Sequence, residues 1–128
     1  DVNLEGVSML EDMIFTNETF LASAENRDIA ARFVRASLRG WEYARDHRSE
    51  AVDIVLNQDT SGSMSKLHQT LMLDDVLDLI GESSTGIGYL DPVLFQQTAD
   101  IAFQFGVIQN PASRAAYSHA IWELAKVA

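Results

Sequence analysis

Ser63-Met64-Ser65-Lys66 places a lysine three residues after a serine. On a helix that spacing sets the amine one turn from the hydroxyl, where it can take the proton of a serine nucleophile. The Ser-Asp-Asn and Lys-Thr-Gly partners of that chemistry are missing from the chain, and serine is the ordinary residue at a helix start, so a plain cap is the better reading. Asp74, Asp75 and Asp78 offer oxygen ligands for a hard cation, with Asp74 and Asp78 on one helix face. No glycine-containing calcium loop surrounds them, which favours a solvated acidic face. His47, His68 and His119 stand far apart and lack the paired spacing of a zinc site. Arg32, Arg35 and Arg39 form a stripe that could face an anion, yet Glu42 and Asp46 continue the same face, as on a salt-bridged surface. The expectation is a chain that is not an enzyme, with no metal and no cofactor.

Aromatic side chains carry more weight in a binding module, because a flat ring can stack on a flat ligand. Trp41, Tyr43, Phe95 and Trp122 read mostly as core. Tyr89 lies in a glycine-containing loop just before a helix cap, which makes it the better candidate to line a cleft.

The elements that must position these residues are mainly helical. Residues 13–20 combine β-favouring types in partial alternation and predict one short strand. From about Arg27 the period becomes helical: Ile29, Phe33, Val34, Leu38, Trp41 and Ala44 share one side, with Asn26 as the expected N-cap. Ser49 is the expected cap of a second helix, ended by the polar run 57–62, and a third runs from about Ser63 to Gly81. A loop follows at 82–89. Asp91-Pro92 and Asn110-Pro111 each put a capping side chain before a proline whose missing N–H costs nothing at the first helical position. They predict two more helices, the first closing at Gly106 and the second carrying Ala116, Ala120, Ile121 and Leu124. The fold class is therefore mainly α, about five helices with one short N-terminal strand, in a single segment over 1–128.

Composition narrows the function. With 47% hydrophobic residues in a 128-residue chain, a buried core is within reach and disorder is a poor reading. Nineteen acidic against nine basic residues give a net charge of −10, which disfavours a nucleic-acid partner. No run approaches the roughly 20 apolar residues of a membrane-spanning helix. The absence of cysteine removes disulfides and thiolate chemistry. The acidic opening, Asp1, Glu5 and Glu11, lacks the order of a secretory signal, and the sequence reads as an excised or processed segment.

Two stretches carry a resemblance. DMIFTNETFL at 12–21, followed by RFVRASLRGWEYARDHRSEA at 32–51, resembles the family of periplasmic binding proteins for thiamine pyrimidine precursors, nitrate, taurine and alkanesulfonates. The shared pattern is a strand, a short helical turn, then a long helix ending in Gly-Trp-x-Tyr-Ala and a polar break before Glu-Ala. GYLDPVLFQQTADIAFQFGVI at 88–108 looks like the family's last helix unit, so the likeness covers about 9–108. Where the family often has Asn-Pro this chain has His47-Arg48, and residues 112–128 match no family motif.

The resemblance implies the C-terminal portion of a bilobal α/β fold: residues 1–21 as a crossing between lobes with its strand, and 22–128 as helices that cover a sheet lying elsewhere. It implies a solute-binding component of an ABC importer, periplasmic or extracellular and lipid-anchored, binding a small polar or heteroaromatic solute without catalysis and presenting its closed form to a membrane permease. Asp12 and Thr16, beside the crossing, are the residues it places nearest the solute. Helices built to cover a missing sheet would need their N-terminal portion or would self-associate. Two other readings stay open. One is a stand-alone helical module that binds another polypeptide through an exposed apolar face. The other is the related fungal enzyme that makes the thiamine pyrimidine, whose cysteine-rich motif is not found in this sequence.

Overall fold

The computed structural model describes residues 6–81 and 84–126, so Asp1, Glu5 and the first two positions of the 82–89 loop lie outside the described residues. Residues 7–17 run without helix or ladder, and among the described residues there is no β-strand. The strand expected at 13–20 is thus corrected: a strand needs a neighbour for its backbone groups, and this stretch has none to pair with. The residues just before it touch a helix further along the chain instead, through Leu10 N donating to Thr98 Oγ1 at 2.9 Å and Gln97 Nε2 donating to the Ser8 carbonyl at 2.9 Å.

Six helices follow among the described residues. α1 (Glu18–Leu21) is a single turn capped by Asn17, whose side chain accepts from Phe20 N at 2.7 Å. α2 (Ala24–Asp46) is the longest, and its cap is Ser23 rather than Asn26, with Ser23 Oγ accepting from Asn26 N. Arg27 explains the earlier start. Its guanidinium reaches back to the carbonyls of Leu21 and Ala22 at 2.8 and 3.1 Å, tying the end of α1 to the first turn of α2.

α3 (Arg48–Gln58) follows α2 after a single intervening residue. His47 closes one helix and opens the next, its ring stacked on Tyr43 at 4.2 Å. Ser49, the expected cap, sits inside the first turn, and no side chain caps this helix. The polar run after α3 is organised by Asp59. Its carboxylate accepts from the Ser61 hydroxyl and from the backbone N–H of Ser61 and Met64, and these bonds hold its pKa below the usual 3.8. α4 (Lys66–Gly81) then starts behind Ser65, whose Oγ accepts from His68 N at 3.2 Å.

α5 (Pro92–Gln104) begins as the Asp91-Pro92 pair predicts, with Asp91 accepting from Val93 N and Leu94 N. It closes at Gly106, where φ is +71°: Gly106 N reaches the Phe103 carbonyl and Val107 N the Ala102 carbonyl at 2.8 Å. That left-handed position is one a side chain would strain. The Asn110-Pro111 start is corrected. A three-residue 3-10 turn (Arg114–Ala116) and a short α6 (Ala120–Ala125) replace the single helix, with Tyr117 extended between them. Tertiary contacts override the local signal there, because the extended Tyr117 lays its ring against Phe95 at 4.6 Å.

α2 packs against α1, α3 and α6, and α3 packs against α4. The buried residues among those described are Ala31, Val52, Leu77, Ala99, Ala102 and Ala125, so the helices meet mainly through alanine, and no large side chain is fully enclosed. The surface area is 9680 Å², whereas a folded monomer of 14.2 kDa exposes about 6,800 Å². Phe15 is 91% exposed, and Phe33, Leu67, Leu79, Val93 and Phe105 are more than half exposed. The mainly helical class stands, and these helices leave many large apolar side chains exposed.

Candidate functional site

Tyr89 stands in the loop between α4 and α5, and glycines shape its approach. Gly86 and Gly88 both have positive φ, and a Cβ added at Gly88 would come within 2.7 Å of Leu38 Cδ2. That closeness lets the loop lie against α2 and the indole of Trp122. Trp122 Nε1 donates to the Ile87 carbonyl at 3.0 Å. His119 Nε2 lies 2.8 Å from the Leu90 carbonyl, an acceptor only, so the proton of this bond sits on Nε2.

These two anchors bring the rings together. Tyr89 stacks on His119 with centroids 4.5 Å apart and meets Trp122 edge-on at 5.2 Å. Tyr117 bridges His119 and Phe95, and Lys126 Nζ lies 5.0 Å from the centroid of the Trp122 ring. Such contacts are each worth about 0.5–1.5 kcal/mol beyond area burial. Arg35 completes the cluster from α2, donating from Nε to the Ala125 carbonyl at 3.2 Å and from Nη2 to the Leu124 carbonyl at 2.6 Å. It neutralises the negative end of α6, which explains one member of the arginine stripe. Arg32 is spent locally, on Asp28 at 2.9 Å one turn before it.

Asp12 and Thr16 are exposed on the N-terminal stretch. No hydrogen bond, ion pair or ring contact joins either of them to Tyr89. The three residues singled out in the sequence therefore occupy two places: a half-buried ring cluster and an open extended segment.

The remaining constellations resolve into structural roles. Ser63 Oγ pairs with Ser61 Oγ at 2.7 Å, while Lys66 Nζ turns to Asp53 at 2.6 Å, so serine and lysine do not form a nucleophile and base. Asp74 takes Arg48 at 2.5 Å across α3 and α4. No group of acids and histidines suited to a metal ion occurs among the described residues. Tyr43 has its pKa raised by the Glu50 carboxylate, a contact across the α2–α3 break.

Reasoning from sequence alone missed an open groove of 450 Å³ between α2, α3 and α4. Trp41, Val52, Val55, Met72 and Val76 wall it, with Gln69 as one of its few polar groups. The available signal was the set of small residues Gly40, Ala44 and Ala51 around Trp41, which leaves space where three helices converge. Trp41 also lines a second hollow of 290 Å³, together with Arg45, Leu77 and Ile87. No helix among the described residues is long and apolar enough to cross a membrane.

Comparison with curated proteins and with solved structures returns no match. The family model described as NMT1/THI5 like matches residues 3–51, a region that takes in the extended stretch with Asp12 and Thr16, α1, α2 and the first turn of α3, but not Tyr89. Over that region, this chain is similar to the NMT1/THI5-like family.

Proposed function

We propose that the chain is part of a bilobal solute-binding protein that delivers a small polar or heteroaromatic solute, of the thiamine-precursor, sulfonate or nitrate class, to an ABC permease without catalysis. The match over residues 3–51 is the observation that carries this reading. Two physical features support it. Met13, Ile14 and Phe15 are consecutive apolar residues, all exposed and free of any ladder, the composition of a strand meant to be covered on both faces of a sheet. The total surface exceeds that of a folded monomer of this mass, and many large apolar side chains on the helices are exposed.

In this account residues 1–21 cross between lobes, the helices over 22–128 cover the sheet, and Asp12 and Thr16 stand nearest the solute. The place of action is periplasmic, or extracellular and lipid-anchored. Isothermal titration of the intact protein against thiamine pyrimidine precursors, alkanesulfonates and nitrate tests it. Binding of one class, weakened at least about tenfold (about 1.4 kcal/mol) by Asp12→Ala, is the expected result. Unchanged affinity in that variant overturns the role of Asp12, and no binding of any class overturns the solute-binding reading.

The open groove beside Trp41 favours a second reading, a helical module that binds another polypeptide. It differs in requiring the isolated chain to be a finished, monomeric fold.

A further inference from the structure

We draw no further inference here: the strongest candidate, the open apolar groove between α2, α3 and α4 walled by Trp41, Val55 and Met72, carries nothing because nothing in the structure shows what covers it.

Discussion

α6 and α4 each lie against another helix, but they are held there by different means. α6 has six residues, too few to be helical alone, and it is fixed by bonds that end on particular backbone atoms. Arg35 grips its last carbonyls, Trp122 holds the Ile87 carbonyl, and His119 holds the Leu90 carbonyl. Ala125, at its end, is 0% exposed. α4 is longer, at 16 residues, and is joined to α3 by two half-exposed ion pairs, Arg48–Asp74 and Lys66–Asp53. Pairs of that kind contribute about 0–1 kcal/mol each. Beside them lie an open groove and a largely uncovered apolar surface. Directional bonds to carbonyls complete a small element, whereas apolar contact without enough neighbours leaves a larger one unfinished.

The sharpest way to break that contrast is at Gly88. Gly88→Ala combines a left-handed φ of +75° with a Cβ 2.7 Å from Leu38 Cδ2. The leucine tip can swing aside, but the backbone strain remains, so a loss of about 1–3 kcal/mol in urea unfolding is expected. An unchanged midpoint would mean that the loop is not fixed against α2. Arg35→Ala comes next, with an expected loss of about 1–2 kcal/mol because one of its two charge-assisted bonds is solvent-exposed, partly recovered in Arg35→Lys. Loss of helical signal confined to α6, read by hydrogen exchange, would accompany it. The smallest effect belongs to the other region: Leu67 is 71% exposed on α4, and Leu67→Ala should shift stability by no more than about 0.5 kcal/mol. A shift as large as that of Gly88→Ala would show that the α4 surface is packed and erase the distinction.

The same contrast marks what could be read from the sequence. Asp91-Pro92 and Gly106 are local signals that landed where their chemistry required. The amphipathic period through Trp41 formed its helix, but the core expected there is corrected: Ile29, Phe33, Trp41 and Tyr43 stay exposed for want of a layer to cover them. The Ser23 cap escaped notice because Arg27, reaching back to α1, extends α2 beyond the first apolar repeat. Asn110-Pro111 carries as good a local signal as Asp91-Pro92, yet contacts of Tyr117 and His119 with distant residues break the helix it announces. The strand at 13–20 failed for the opposite reason, since its types favour a sheet that the described residues do not supply. Of the candidate site, Tyr89 was legible as a residue before a cap in a glycine loop. Its engagement by Trp122 of α6 and by His119 just before that helix, some thirty positions later, was not.

Light scattering of the purified 128-residue chain over a range of concentrations, with an apolar dye present in parallel, tests the central claim most directly. Apolar surface left without cover predicts association that grows with concentration and strong dye fluorescence. A single monomeric species at every concentration, with no dye bound, would contradict it.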